Sequence, residues 1–361
     1  MHFVTDILVA VLTVYLAFTN GLALQISNLI DGPSSEVIQE EIIEAEVGIE
    51  TLPGLFTNTI PDILLRSTKY QSAALAGSEG LVGANTKDPF DAMVNIFCTM
   101  LTEDQIRTTT GTGFFIDPDG IILTNAHVAQ FLLLEETNDF GEVKCVVRSG
   151  NPASPQYEAE LLYISPAWIQ ANSKILSTAV PMGTGERDYA LLYVTKRVDD
   201  SPLPTAFPAL GFDTSLLPLS TRNDLVLAAG YPAAPLLRDG PSADLIPRKA
   251  TTTVSELYTF GSNHADVFSI RGSEVGAEGS SGGPVLNAKG DVIGIIVTRG
   301  DDSTDGTGSL RAITLSHIEQ TILQETGFDL TRNLSGNLSY RADVFAETMS
   351  PFLLAILQQA N

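Results

Sequence analysis

Three residues whose side chains are suited to hydrolytic chemistry lie far apart in the chain. His127 follows a predicted hairpin, Asp188 begins an apolar strand, and Ser281 lies in a glycine-rich turn. A serine hydroxyl is a poor nucleophile until a neutral imidazole removes its proton, and the resulting imidazolium needs a carboxylate on its other nitrogen. The order His, Asp, Ser, with separations of 61 and 93 residues, therefore predicts a catalytic triad that works without a metal or cofactor.

The turn around Ser281, Gly279-Ser-Ser-Gly-Gly-Pro-Val285, also predicts an oxyanion hole. Acyl transfer passes through a tetrahedral oxyanion, which is stabilised by hydrogen-bond donors that are already in place. The backbone N–H groups of Gly279 and Ser281 are suitably spaced to be those donors. Glycine at 279, 282 and 283 permits backbone conformations that a β-carbon would forbid.

The same turn matches the G-x-S-x-G motif of α/β-hydrolases, and Asp301 or Asp305 followed by His317 would complete the catalytic order of that fold. In an α/β-hydrolase the serine leads directly into a helix. Here Pro284 and the β-branched run 292–297 follow the serine instead, so the sequence excludes that fold.

The elements that must position these residues are mainly short predicted strands, separated by Gly, Pro, Asp or Asn. The candidates are Val94–Thr99, Gly113–Ile116, Gly120–Thr124, Val143–Arg148, Leu161–Ile164, Tyr189–Val194, Leu225–Ala229, Val267–Ile270 and Val292–Val297. Helical periodicity is evident mainly at Ser316–Glu325. Many short strands with turn signals predict an all-β barrel or sandwich.

Around Gly111–Ile116, His127, Asp188 and Ser281 the chain resembles the trypsin-like serine peptidases, most closely their bacterial HtrA-like branch. The resemblance covers roughly residues 90–320. It implies an all-β fold, a double six-stranded β-barrel with the active site in the cleft between the barrels, and polypeptides as substrates. His127 matches the catalytic histidine of the family, Asp188 its aspartate and Ser281 its nucleophile.

The resemblance further implies a primary substrate pocket near the strand that follows the serine turn. The expected lining residues are Val275, Gly276, Gly294, Ile296 and Thr298. Since none of them carries a charge, a modest apolar P1 side chain is the expected preference.

Cys98 and Cys145 are the two cysteines of the chain. They are too few for a four-cysteine zinc site or a disulfide-stapled miniprotein. In an exported protein a disulfide between them is expected, and the resemblance places it beside His127, where trypsin-like relatives often carry a bridge. It would close a loop of 47 residues.

An uncharged run extends from Ile7 to Leu24 near the N-terminus. These eighteen residues would span roughly 27 Å as a helix, about enough for a hydrocarbon core. The run fits a membrane anchor or a secretory signal, although Asp6 stands where a basic residue is usual. A buried helix of a soluble domain is a third interpretation. Because Arg66 is the first basic residue, the positive-inside rule predicts that the rest of the chain is exported.

The charge of the chain excludes several classes of function. With 43 acidic and 20 basic residues the net charge is −23, so the chain lacks the basic stripe that a nucleic-acid partner requires. The turn Gly111-Thr-Gly113 lacks the Gly-Lys-Ser/Thr that cradles phosphate, which excludes a nucleotide site there. Eight carboxylates and no Lys or Arg lie between residues 26 and 65. Two interpretations are open: their mutual repulsion extends the segment, or the charge serves only solubility.

Four regions follow from these patterns: a membrane anchor or signal at 1–24, an acidic linker with a short helix at 25–88, the protease domain at 89–327, and a helical C-terminal extension at 328–361. The short helix is expected near Glu36–Val47. The extension is too short for the PDZ domain that typical HtrA relatives carry. The predicted function is an exported, membrane-tethered serine endopeptidase; the alternative is a catalytically silent trypsin-like fold that serves as a protein-binding module.

Overall fold

The structure, a computed structural model, describes residues 50–51, 65, 68–75, 83–102, 106–174, 185–240, 243–271, 275–276, 278–299 and 309–360. The predicted membrane segment at 1–24 and the predicted helix at Glu36–Val47 lie outside these residues. Within the described ranges no helix has both the length and the apolar character needed to cross a membrane.

Six antiparallel strands close the first barrel in the order β2-β3-β4-β7-β6-β5, and β5 pairs with β2 to complete the ring. Their bounds are β2 Met93–Leu101, β3 Ile106–Asp117, β4 Ile121–Thr124, β5 Glu142–Ser149, β6 Ser154–Ile164 and β7 Ala190–Arg197. The interior is filled by aliphatic and aromatic side chains such as Phe114, Ile122 and Leu192, all fully buried. Every strand predicted in this half of the chain is present.

The second barrel closes in the order β9-β10-β13-β12-β11-β8, because β8 also pairs with β9. Its strands are β8 Leu225–Gly230, β9 Arg248–Thr259, β10 Val267–Ile270, β11 Pro284–Leu286, β12 Val292–Arg299 and β13 Leu310–Thr314. The short strand β1, Glu50–Thr51, adds in parallel to β9. The predicted double six-stranded β-barrel is confirmed, but strands β9, β11 and β13 were not predicted.

Helices surround the barrels. The described ones are α1 Thr68–Leu75, α2 Pro89–Ala92, α3 Ala126–Leu134, α4 Pro166–Ala171, α5 Ala234–Asp239, α6 Leu315–Thr326, α7 Leu330–Asn333, α8 Leu338–Thr348 and α9 Ser350–Ala360. Helix α8 packs against β6 and α1, while α9 packs against α3 and α4. The C-terminal extension therefore covers the first barrel. Helix α1 lies within residues 25–88, the predicted acidic linker.

Helix α6 follows β13 without a loop, and its ends follow the usual capping chemistry. Thr314 is the N-cap, and its hydroxyl accepts a hydrogen bond from the N–H of His317. Gly327 ends the helix with φ +81°, a left-handed conformation that glycine adopts without strain. The predicted helix at Ser316–Glu325 is thus one residue longer at each end.

A disulfide joins Cys98 of β2 to Cys145 of β5, which face each other directly in the strand register. Both residues belong to the antiparallel pair that closes the first barrel. The predicted bridge is therefore present, and it links the two strands at which the ring closes.

Candidate active site

The first turn of helix α3 carries His127. The preceding residue at the cap position, Asn125, does not bond to its own helix through its side chain. Its amide nitrogen Nδ2 instead donates to the main-chain carbonyl of Asp188, at 2.7 Å. Because Asn125 is fully buried, this bond ties the start of the helix to the loop that carries the aspartate.

Asp188 holds His127 through both carboxylate oxygens. Oδ2 lies 2.7 Å from Nδ1 of the imidazole, and Oδ1 accepts the backbone N–H of His127 at 2.9 Å. The Asp188 side chain is 6% exposed and the His127 side chain 22% exposed, so the pair is open to solvent only on the imidazole side. With Nδ1 bound to the carboxylate, Nε2 is the nitrogen left for proton transfer.

The electrostatics of the pair favour protonation of the imidazole. Burial lowers the pKa of His127, but the negative charge of Asp188 and the hydrogen bond to it raise that pKa, and the net result is a value above the ordinary 6.5. An imidazole with this environment is a stronger base than a free one, as a group that removes a proton from serine must be.

A buried polar network holds Arg187, the residue next to Asp188 in the chain. Arg187 has φ +57°, which is uncommon for a residue with a side chain. The guanidinium of Arg187 contacts the carboxylate of Glu325 on helix α6, and that carboxylate also accepts the hydroxyls of Tyr163 and Ser165. No sequence motif indicated Arg187 or Glu325, because they become neighbours only in the folded chain.

The turn between β10 and β11 carries Ser281. Its neighbours Gly279 and Gly282 have φ +92° and +85°, and a β-carbon on Gly282 would lie 2.0 Å from the carbonyl oxygen of Thr112. The same position would lie 2.6 Å from the hydroxyl of Thr124, three residues before His127. The turn therefore packs directly against the strand that leads to the histidine, and glycine at 282 is what allows this approach.

The hydroxyl of Ser281 donates to the main-chain carbonyl of Val297, at 3.4 Å. Within the described part of the chain this is its one hydrogen bond, so the hydroxyl is not bonded to His127 in this structure. Val297 lies on β12, within the strand predicted at Val292–Val297.

The N–H groups of Gly279 and Ser281 have no hydrogen-bond acceptor among the residues that the structure describes. The carbonyls of the preceding residues do have partners: Glu278 O accepts from Ala233 N at 2.6 Å, and Ser280 O accepts from Gly283 N at 2.9 Å. Because C=O and N–H point in opposite directions in a trans peptide, these bonds turn both N–H groups away from the carbonyl partners. Two unpartnered donors of this kind can bind an oxyanion.

The predicted pocket residues lie in or beside the second barrel. Val275 and Ile296 are buried in its core, and a β-carbon on Gly294 would meet the ring of Phe268. Gly276 lies three residues before Gly279, and Thr298 belongs to β12. Their role as a substrate pocket stays a prediction.

Two further histidines of the described ranges, His264 and His317, belong to a separate cluster. His317 Nδ1 lies 3.1 Å from Asp266, and His264 Nε2 lies 2.9 Å from Gln320. Burial raises the pKa of Asp266, but hydrogen bonds from His317 and its other partners lower it to about 2. Within the described ranges no three His, Cys, Asp or Glu side chains are placed to hold a metal ion. Asp301 and Asp305 lie outside those ranges.

Curated proteins with similar sequences are serine proteases. Serine protease HTR4 of Rattus norvegicus is 29% identical over 195 residues, and serine protease HTRA4 of Mus musculus is 28% identical over 195 residues. Each alignment covers 54% of this chain but only 30% and 31% of the relatives, respectively. The chain thus spans about a third of the length of the curated relatives it matches.

Two solved structures are also similar. The Rv3671c protease of M. tuberculosis in its active form has a TM-score of 0.39 and 18% identity, covering 80% of this chain and 94% of that chain. Its inactive form has a TM-score of 0.38 and 20% identity, and the match covers 68% of this chain and 99% of that chain.

The family model of the trypsin-like peptidase domain matches residues 111–295, from the hairpin before His127 to the strand after Ser281. The match covers just over half of the chain and includes all three residues of the predicted triad. The chain therefore belongs to the trypsin-like peptidase family.

Proposed function

We propose that the protein is a serine endopeptidase that cleaves polypeptides through an acyl-enzyme. Ser281 is the nucleophile, His127 the general base and then the general acid, and Asp188 the group that orients and stabilises the imidazolium. The observation that carries the proposal is the bonding of His127 Nδ1 to Asp188 at 2.7 Å, which leaves Nε2 for proton transfer.

In the first step, Ser281 Oγ forms a bond to the carbonyl carbon of the scissile peptide while its proton passes to His127 Nε2. The electron pair of the carbonyl moves to oxygen, and the N–H groups of Gly279 and Ser281 stabilise that charge. His127 then gives the proton to the leaving amine as the C–N bond breaks. Water, activated by the same imidazole, hydrolyses the acyl-enzyme and regenerates Ser281.

This mechanism requires the Ser281 hydroxyl to leave the Val297 carbonyl. A bond of 3.4 Å is long for an O–H donor, and serine side chains change between staggered rotamers by rotation about one bond. Catalytic hydrogen bonds are often loose without substrate and form fully in the complex. The resting rotamer is therefore compatible with a competent site.

Labelling with a fluorophosphonate probe tests the proposal. The wild type is expected to be labelled at Ser281 and to hydrolyse casein, and Ser281→Ala is expected to lose both while keeping its thermal midpoint. Ser280→Ala is the matched control, because Ser280 is the adjacent serine, buried and without a hydrogen-bond partner for its hydroxyl in the described residues. Unchanged hydrolysis in Ser281→Ala would refute the assignment.

The alternative function, a catalytically silent protein-binding module, is favoured by one observation, the Ser281–Val297 hydrogen bond. That alternative predicts no probe labelling and no hydrolysis by the wild type under any condition, together with saturable binding of a polypeptide. The labelling experiment therefore separates the two functions directly.

The protease is further proposed to act outside the cytoplasm, held at a membrane by residues 1–24. The uncharged run Ile7–Leu24 and the lack of Lys or Arg before Arg66 support this location. Fractionation of cells with carbonate extraction should leave the full chain in the membrane pellet and release a chain that lacks residues 1–24. Recovery of the full chain in the cytoplasmic fraction would contradict the proposal.

A further inference from the structure

Thr112 is a fully buried residue of β3 that belongs to neither the triad nor the oxyanion hole. Its hydroxyl accepts the backbone N–H of Tyr231 at 2.9 Å and donates to the carbonyl of Gly279 at 2.7 Å. The direction of the second bond is determined by the first, because a backbone N–H can only donate and a carbonyl can only accept. The hydroxyl thus joins the end of β8 to the serine turn.

The main chain of Thr112 makes two more bonds to the active site. Its N–H donates to the carbonyl of Ser281 at 2.7 Å, and its carbonyl accepts the hydroxyl of Thr124 at 2.7 Å. Thr124 ends β4, just before the segment that carries His127. One residue of β3 therefore contacts both the nucleophile turn and the strand that leads to the general base.

The position of the Gly279 carbonyl explains why its bond matters for chemistry. The peptide unit between Gly279 and Ser280 lies between the two units that carry the oxyanion donors, the N–H groups of Gly279 and Ser281. The flanking carbonyls of Glu278 and Ser280 are held by Ala233 and by Gly283. The hydroxyl of Thr112 holds the middle carbonyl, so each of the three peptide planes has one hydrogen bond that defines its orientation.

Glycine makes this bond necessary. Gly279 has φ +92° and no β-carbon, so its backbone resists rotation less than that of any other residue. Donors act on an oxyanion only when they are already aimed at the point where the charge develops. In a turn that contains glycine at this position, the orientation of the N–H donors therefore depends on hydrogen bonds from residues outside the turn.

We propose that Thr112 is a positioning residue for the oxyanion hole, and that its hydroxyl keeps the Gly279 and Ser281 N–H groups directed at one point. Thr112 contacts no substrate atom in this scheme. The inference rests on the proposed function, because an oxyanion hole has a role only in a protein that hydrolyses its substrate.

The test compares Thr112→Val, which has the same shape without the hydroxyl, with Thr112→Ser, which retains the hydroxyl. Both are assayed in the full chain on a peptide that the wild type cleaves. In Thr112→Val we expect kcat to fall about 10- to 100-fold, with KM changed less than about twofold. The effect should be smaller than that of removing an oxyanion-hole donor outright, which lowers kcat about 10²- to 10³-fold. Thr112→Ser should keep kcat within about threefold of the wild type.

A second measurement separates positioning from folding. A peptide aldehyde forms a tetrahedral adduct that uses the oxyanion hole, and its affinity should fall in Thr112→Val in proportion to kcat/KM. The affinity of the corresponding product peptide, which does not use the hole in this way, should stay the same. If Thr112→Val does not fold, Thr112→Ala, which adds no steric demand, takes its place.

Two results would overturn the proposal. The first is a Thr112→Val protein with a lower thermal midpoint but a wild-type kcat per folded molecule, since this would give the hydroxyl a purely structural role. The second is a Thr112→Ser protein as slow as Thr112→Val. A wild type that neither labels nor cleaves would instead refute the proposed function, and this inference with it.

Discussion

The guanidinium of Arg187 contacts the carboxylate of Glu325, a residue 138 positions further along the chain. The contact joins helix α6 to the residue immediately before Asp188. The side chain of Glu325 is 1% exposed and that of Arg187 12% exposed, so the ion pair is largely removed from water. The hydroxyls of Tyr163 and Ser165 complete the bonding of the carboxylate.

Substitution Glu325→Gln is therefore expected to destabilise the protein and to slow catalysis. Burial raises the pKa of Glu325, and although the charge of Arg187 and the hydrogen bonds from Arg187, Tyr163 and Ser165 lower it, the net result is a pKa above the ordinary 4.5. Loss of one member of a buried pair leaves the other charge uncompensated, which costs about 3–5 kcal/mol. Urea unfolding measures the loss in the free energy of unfolding. At a temperature where the variant is folded, kcat should also fall, because Arg187 no longer holds the loop that carries Asp188.

An exposed ion pair supplies the control for that experiment. Glu347 contacts Lys69, but the two side chains are 64% and 50% exposed, so Glu347→Gln should leave both stability and kcat unchanged. Equal unfolding curves for Glu325→Gln and the wild type would show that the buried network does not stabilise the fold.

Activity is expected to decline in acid as His127 becomes protonated, since only the neutral imidazole can accept the serine proton. Because Asp188 raises the pKa of His127 above its ordinary 6.5, the acid limb of kcat/KM should lie above pH 6.5. Asp188→Asn removes the charge but not the burial, so it should shift that limb to lower pH and reduce kcat on the order of 10⁴-fold. Substitution of the exposed Asp224 by Asn is the control.

The same pKa shift affects stability in a defined direction. The pKa of His127 is higher in the folded than in the unfolded chain, so protonation favours the folded state. The stabilisation is fully present below the unfolded pKa of about 6.5 and is lost as the pH rises through the folded pKa. A pH profile of unfolding that is identical in wild type and Asp188→Asn would contradict this linkage.

The disulfide is expected to contribute to stability and not to catalysis. Cys98 and Cys145 are 47 residues apart, and closing a loop of that size stabilises a fold by about 4 kcal/mol in the chain-entropy model. Cys98→Ala/Cys145→Ala should lower the thermal midpoint and abolish its sensitivity to reductant, while kcat at a temperature well below the midpoint stays near that of the wild type. A midpoint that reductant does not change in the wild type would argue against the bridge.

Local sequence patterns predicted much of this protein because several of its features depend on local chemistry. The motifs around His127 and Ser281 require particular glycines and a particular residue order, and both appear in the sequence as short, recognisable segments. The strands that the sequence predicted are short runs rich in β-branched and aromatic residues. Such side chains pack well on a pleated, buried sheet surface. The helix α6 carries its own N-cap, Thr314, and its own terminator, Gly327.

The elements that local patterns missed lack a local signal. Strand β9 begins with the run Arg248–Thr253, in which every residue except Ala250 is charged or polar. Strand β11 has three residues, the first of them Pro284. Helix α3 is apolar on almost every side, because the first barrel and α9 enclose it, so it shows no amphipathic period. In each case packing against other parts of the chain determines the element.

The sequence by itself determined the three chemical groups, their order and the glycines that let Ser281 approach β4. Only the tertiary structure decided which groups support them. The hydroxyl of Thr112 donates to the Gly279 carbonyl, the side chain of Asn125 donates to the main-chain carbonyl of Asp188, and the carboxylate of Glu325 contacts Arg187. These partners are 167, 63 and 138 positions apart, respectively. At such separations the contacts arise from barrel closure and helix packing, which leave no periodic or spaced pattern in the sequence.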